Sequence, residues 1–382
     1  MTRYSIDTRT LQAGDIFIPV KGEHFDGHDF IDEARRKGAA HILDVELGPF
    51  AAEHRRKFNI PVIGVTGSAG KTTVKNMLGA VLAQKFNVQV SEHNQNNEVG
   101  VPLTLLKIDA QTQVAVIEMA LRHTGDLKLL AEWALPTHAL VTQVGHTHLA
   151  QFCDRPALAR AKAEIFDADP APQKAFINRQ DDFSDLLTAH ARLRQAQVIY
   201  FDGQDAFAQN RAAVAAVAKD FGLNDTQIEE GLRQVPASPH RLAIETLSGG
   251  LTLIDDSYNA NPAAMRAASL YARQYLHARP MGAVFGDMLE LGDEALRLHQ
   301  EFMDWFAHEI PCAWLLWVGA FGPQLRFSAH LTTHCASTWQ QALPWVQGQL
   351  PRCNGVLVKG SRGMALDGLV AALQADKAKT NG

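Results

Sequence analysis

Gly67, Gly70, Lys71 and Thr72 have the types and spacing of a phosphate cradle. They lie in Pro61-Val62-Ile63-Gly64-Val65-Thr66-Gly67-Ser68-Ala69-Gly70-Lys71-Thr72-Thr73. That stretch reads as a buried strand, a glycine-rich turn and a helix start. Val62, Ile63 and Val65 supply the apolar, β-branched run. The two glycines let the backbone turn tightly and approach a ligand. Beyond them Val74, Met77, Leu78, Val81 and Leu82 mark one face of a helix. Lys71, Thr72 and Thr73 therefore fall in the first helical turn, where unpaired N–H groups and the helix dipole favour an anion. Lys71 can reach terminal phosphates, and the Thr72 hydroxyl is placed for Mg²⁺. Only Ser68 and Ala69 separate the glycines, fewer than in the common phosphate loop. The competing reading is a plain strand–turn–helix corner with an exposed lysine. Strand, glycines, Lys-Thr pair and helix face together favour the nucleotide.

Other reactive residues stand at strand ends. Val114-Ala115-Val116-Ile117 runs into Glu118. An acid there sits where ligands bind in open α/β sheets, so Glu118 is a candidate Mg²⁺ ligand, directly or through water. Ala139 to Thr142 leads to Gln143-Val144-Gly145-His146-Thr147-His148. The same geometry turns one of these histidines to the site without choosing between them. Asn94-Gln95-Asn96-Asn97-Glu98 is either a solvated loop or a contact for a polar substrate. Lys162 lies in the helical segment 156–166, beside a face of Leu158, Ala161, Ile165 and Phe166. By pattern alone it is a surface lysine.

The elements that must position these groups form an α/β chain. Residues 1–58 hold short strands at 15–20 and 40–43, a helix at 30–37 and two polar clusters, 5–9 and 21–28. Each cluster is a binding edge or a turn. Residues 59–237 alternate strand and helix, hence a parallel sheet, with Asp225 as a helix N-cap and 236–239 as the boundary. Residues 238–382 form a second α/β unit. There polar loops follow strands at 255–262, 286–292 and 359–363, on one rim of the expected sheet. The tail 376–382 is expected to fray.

With 382 residues, 46% of them hydrophobic and 20% charged, the composition is that of a globular protein of two or three domains. A net charge of −5 leaves no footprint for nucleic acid. No apolar run is long enough to span a bilayer, and the N-terminus lacks a signal segment. Four cysteines without metal or redox spacing suit reduced thiols, and a cytoplasmic protein is expected.

These motifs, in this order, resemble the Mur ligase family, ATP-dependent amide ligases of peptidoglycan precursor synthesis. The matching stretches are 7–9, 21–28, 64–73, 96–106, 117–119, 161–164, 255–262, 286–292 and 359–364. Within the family the likeness is greatest to ligases that add D-alanyl-D-alanine to UDP-N-acetylmuramoyl-tripeptide. The resemblance implies a three-domain α/β architecture: a truncated N-terminal UDP-substrate domain (1–58), a central P-loop domain with a parallel sheet (59–237) and a Rossmann-like ligase domain (238–382). It implies ATP and Mg²⁺ as cofactors and an acyl-phosphate intermediate. Small molecules, a nucleotide-sugar peptide and a dipeptide, are the expected partners of a monomeric enzyme. It implies that Lys71, Glu118, His148 and Lys162 are catalytic. Thr72, Glu118, His148 and Lys162, the last as a carbamate, would serve the metal ions. Gly67 to Thr73, Asn210, Arg241 and Asp256 would bind ATP. Ser5, Asp7, Thr8, Arg9, Lys21, Gly22, Asp26, His28, Asn96, Asn97, Asn259, Asn261, Lys359, Ser361 and Arg362 would lie near the substrates.

The chain also departs from the family pattern. The usual N-terminal lead-in is missing, and the region 178–210 is short. Ala206-Phe207 replace a His-Asn pair, and Ala150 stands where an acid is common. Two rival readings follow: a ligase of the same family with another acid and amine, or a nucleotide-binding homologue that no longer ligates.

Overall fold

The computed structural model describes residues 3–22, 25–145, 151–236 and 240–380. The chain forms two compact units: 1–144 with 156–204 and 208–235, and 145–155 with 205–207 and 236–382. Residues 1–58 therefore share a unit with the P-loop sheet, although they carry a sheet of their own. That sheet is parallel, in the order β1 (Tyr4–Ser5), β2 (Ile16–Phe17), β3 (His41–Ile42). Its strands are shorter than expected. Pro19 cannot donate to a ladder, which limits β2. Leu11, Phe17 and Ala34 form its small core. The helix Leu47–Arg56 has no counterpart in the sequence reading.

The larger sheet of this unit has strands β4 (Val62–Thr66), β5 (Val88–Val90), β6 (Val114–Glu118), β7 (His138–Val141), β8 (Lys174–Asn178) and β9 (Gln197–Phe201). All are parallel, in the order β5-β6-β4-β7-β8-β9. β4, β6, β7 and β8 are almost wholly buried, as β-branched runs covered on both faces must be, whereas the edge strand β5 is half-buried. The helix Lys71–Leu82 packs Val74, Leu78 and Val81 against Val65, Val116 and Leu140. The expected N-cap Asp225 is displaced by one residue. Asn224 has the extended backbone and accepts from Gln227 N, completing a capping box.

In the second unit the order is β10-β11-β15-β12-β13-β14. The strands are β10 (Ala243–Thr246), β11 (Thr252–Asp256), β12 (Met281–Gly286), β13 (Cys312–Val318), β14 (Thr332–Ala336) and β15 (Gly355–Lys359). Only β10 runs antiparallel. Alternate residues serve opposite cores: Phe285 and Trp317 pack with Phe302 and Phe306, while Val284 and Trp314 pack with Val346 and Leu369. The last helix, Asp367–Thr380, extends into the tail that was expected to fray. Among the described residues, no helix is long and apolar enough to cross a membrane.

Candidate active site

The phosphate loop is held from both sides. Gly70 is the N-cap of the helix Lys71–Leu82, with φ +83. Lys71 Nζ donates to Gly67 O at 2.7 Å, and Ser68 N donates to Gln143 O at 2.7 Å. The Thr142 hydroxyl donates to Ala69 O at 2.5 Å, so the end of β7 fastens the turn. Asn210 lies against the turn: a Cβ on Gly70 would come within 2.6 Å of its Oδ1. Thr73 follows Thr72 in the first turn, as expected.

Sheet register brings Glu118 to this loop, because β6 pairs Glu118 with Val65 of β4. The carboxylate is only 1% exposed. Its Oε1 accepts from Thr72 Oγ1 at 3.1 Å and from Asn96 Nδ2 at 2.8 Å. Its Oε2 is buried and makes no hydrogen bond; Lys75 Nζ lies 3.5 Å away. A buried carboxylate that reaches the Thr72 hydroxyl beside a phosphate loop fits Mg²⁺, which takes one or two carboxylates and leaves its other positions to phosphate and water. No cluster of three or more His, Cys, Asp or Glu suited to a metal occurs among the described residues. His148, like His146 and Ala150, lies outside the described residues.

Lys162 is not a surface lysine. It is 1% exposed. Burial, and then the charge of Lys71, push its amine well below the usual lysine range, with Asp181 opposing. Asp181 also receives Val144 N at 2.6 Å, which ties the loop after β7 to the end of β8. The pattern misplaced Lys162 because small alanines flank it and hide how closely the helix approaches the sheet.

The Asn94–Glu98 run divides in two. Asn96 binds Glu118, while Asn97 Oδ1 accepts from Gly100 N at 2.9 Å, at the start of the helix Gly100–Leu105. In the N-terminal sheet, Ser5 and Thr8 are buried and Ser5 Oγ donates to Asp7 O. Asp7 pairs with the exposed Arg9 at 2.7 Å, which holds its carboxyl below the ordinary range. The backbones of Lys21 and Asp26 pair in an isolated antiparallel β-bridge, and Gly22 N donates to Phe25 O. His28 stands between Asp26 at 2.5 Å and Asp44 at 3.1 Å, and hydrogen bonds to both carboxylates raise its pKa. This cluster is thus partly a self-bonded turn.

In the second unit the loops after β11, β12 and β15 converge. Asn259, Ala260, Leu289, Glu290, Ser361, Arg362 and Gly363 line a cleft of about 120 Å³. Lys359 Nζ donates to Asp256 Oδ2 at 2.5 Å and to Asn259 O at 2.8 Å. Burial pushes the Asp256 carboxyl up, opposed by Lys359. Asn261 caps the helix Pro262–Tyr275 through Ala264 N. Ser361 Oγ accepts from Leu289 N at 2.9 Å, and Arg362 pairs with Asp367 at 2.7 Å. Arg241 lies 3.9 Å over the ring of Tyr258.

Three family patterns match along the chain. "Mur ligase family, catalytic domain" covers 1–90, "Mur ligase middle domain" 65–235 and "Mur ligase, glutamate ligase domain" 240–362. A UDP-N-acetylmuramoyl-tripeptide–D-alanyl-D-alanine ligase of Synechocystis is 34% identical over 77% of this chain and 74% of its own. The chain belongs to the Mur ligase family. The Escherichia coli ligase of the same name is 30% identical to this Mur ligase over 96% of the chain and 92% of its own. A crystal structure of MurF from Acinetobacter baumannii superposes with a TM-score of 0.85 at 28% identity, covering 98% of this chain and 93% of that one. A Thermotoga maritima MurF ligase in complex with ADP gives 0.81 at 25%, covering 99% and 98%. The three-domain α/β expectation is therefore borne out.

Lys75, Thr142, Ser91 and Asp181 were missed in the sequence. Lys75 had a usable signal: it is one turn beyond Lys71 and lies in line with Leu78 and Leu82. A polar residue in a buried stripe calls for a partner. The others act through hydrogen bonds that depend on register, as Ser91 Oγ does in receiving Glu118 N at 3.1 Å.

Proposed function

We propose that this Mur ligase joins the amine of D-alanyl-D-alanine to the terminal carboxylate of UDP-N-acetylmuramoyl-tripeptide, with ATP cleaved to ADP and phosphate. The observation that carries the reading is the end-to-end likeness to ligases of that name. The reaction runs in two displacements. A carboxylate oxygen of the tripeptide attacks the γ-phosphorus of ATP, ADP leaves, and an acyl phosphate forms. The dipeptide amine then attacks the acyl carbon; the C–O bond breaks, phosphate leaves, and the amine gives up a proton.

Both reactants of the first step are anions, so their approach needs positive charge and aligned N–H donors. Lys71 and the loop Gly67 to Gly70 supply these at the helix N-terminus. Mg²⁺, held by Thr72 and Glu118 with His148, would neutralise charge on the transferring phosphoryl group. Asn96 holds Glu118 at Oε1. Burial, and then the charge of Lys71, shift the Lys162 amine toward its neutral form, the form that reacts with CO₂. Addition to carbon, with loss of the amine proton, gives a carbamate, an anionic oxygen ligand. Asn259, Ser361 and Arg362 would receive the dipeptide in the cleft of the second unit, where the Arg362 guanidinium suits a carboxylate. Ser5, Asp7, Thr8, Arg9, Lys21, Gly22, Asp26 and His28 would meet the nucleotide sugar.

Phosphate release from ATP tests the reading. Release that requires both UDP-N-acetylmuramoyl-tripeptide and D-alanyl-D-alanine is the expected result. Turnover only with another acid–amine pair, or ATP binding without turnover, would overturn it in favour of one of the two rivals.

A further inference from the structure

Lys75 is among the largest fully buried side chains of the described residues. It lies one helical turn beyond Lys71, and its Nζ sits 3.5 Å from Glu118 Oε2, both side chains being 1% exposed. It also donates to His93 O at 2.8 Å. His93 has φ +45, rare for a residue other than glycine, and it belongs to the loop that carries Asn96.

We propose that Lys75 is a positioning residue for Glu118: it holds one carboxylate oxygen so that the other faces the Thr72 hydroxyl, and it supplies counter-charge when no divalent cation is bound. The two oxygens of Glu118 are treated differently. Oε1 receives Thr72 and Asn96, whereas Oε2 receives no hydrogen bond among the described residues and lies 3.5 Å from the Lys75 ammonium. Hydrogen bonds from Thr72 and Asn96 to one oxygen leave the carboxylate free to pivot about it. A cation at the second oxygen removes that freedom. The hydrogen bond to His93 O then links the carboxylate to the loop that presents Asn96, so the groups around Glu118 move as one. A buried carboxylate without a cation is costly. Lys75 meets that cost in the empty site, and Mg²⁺ shares it in the loaded one. A lysine that merely fills space would behave otherwise, because an apolar isostere could replace it equally well with or without the metal.

The inference rests on the metal role of Glu118 in the ligase reading, but its decisive arm needs no turnover. Lys75→Met keeps the stem and removes the charge. Lys75→Met/Glu118→Gln removes both charges. Melting is measured in chelator and again with ADP and Mg²⁺, and Mn²⁺ binding in the presence of ADP is followed by electron paramagnetic resonance. Lys75→Met should melt below the parent in chelator, and the gap should narrow with ADP and Mg²⁺. Its Mn²⁺ affinity should be no weaker than the parent's, because a competing positive charge has gone. The double variant should regain most of the stability lost in chelator. In turnover, kcat should fall about 10- to 100-fold, as for groups that orient metal ligands, while KM for ATP should change little. An equal gap with and without metal, no recovery in the double variant, or an unchanged kcat would overturn the proposal. If Lys75→Met cannot be obtained folded, the double variant decides: folding supports charge pairing and failure overturns it. A parent without ligase activity would sink the ligase reading and leave the melting and Mn²⁺ results to judge Lys75.

Discussion

Replacing Gly67 by alanine tests the geometry of the phosphate loop. Gly67 has φ +147, a backbone region that side chains avoid, and an added Cβ would fall on the Thr142 hydroxyl. Holding alanine at this φ costs about 1–3 kcal/mol. The Thr142 hydroxyl must also turn away from Ala69 O at 2.5 Å and Thr66 O at 3.2 Å, a loss of about 1 kcal/mol. The sum is about 2–4 kcal/mol. Because the strain falls on the loop itself, much of it should appear as weaker nucleotide binding, about 30- to 1,000-fold on the affinity scale. Calorimetry with ADP measures this, and melting reports how much of the cost reaches global stability. Gly67→Ala/Thr142→Ala removes the hydroxyl and should restore part of the affinity. The relief is partial because Thr142 Cβ would still lie 3.1 Å from the new methyl. Parent-like ADP affinity in Gly67→Ala, or no recovery in the double variant, would refute the reasoning.

Lys162→Ala should be nearly inactive and partly rescued by a short carboxylic acid such as acetate; full activity without the acid would remove the carbamate role. Lys359→Met leaves the Asp256 carboxylate, only 15% exposed, without its ammonium partner, which should cost about 3 kcal/mol in chemical denaturation; adding Asp256→Asn should recover much of it. His138 is buried beside Phe176 and Phe221, and burial holds its imidazole below the ordinary histidine range despite Asp220. Below pH 6.5 the unfolded chain takes a proton there that the folded chain refuses, so stability should fall with pH until the folded pKa is reached. His138→Phe should flatten that part of the denaturation profile.

The phosphate corner was legible because its signals are local. A β-branched strand, two glycines, a Lys-Thr pair and a helical stripe lie in one short run, and the structure reproduces each of them. Glu118 was legible for a related reason, since a strand that ends in an acid reveals which end of the sheet it faces. Lys162 and Lys75 were not, because burial depends on how closely a helix approaches the sheet, which alternation does not encode. β14 was also missed: Thr332 to Ala336 mixes polar and apolar residues at a sheet edge and lacks the buried run that betrays an inner strand. In the amide-rich run, composition pointed to the site but not to the division of labour. Asn96 and Asn97 are chemically identical neighbours, and only the fold turns one to the backbone N–H of Gly100 and the other to Glu118.

The central claim is that the substrate carboxylate is phosphorylated before the amine attacks. Tripeptide substrate labelled with ¹⁸O in its terminal carboxylate tests this directly, with ATP and D-alanyl-D-alanine added and the released phosphate analysed by mass. Each amide bond formed should carry one labelled oxygen into phosphate. Phosphate without label, while amide product accumulates, would contradict the account.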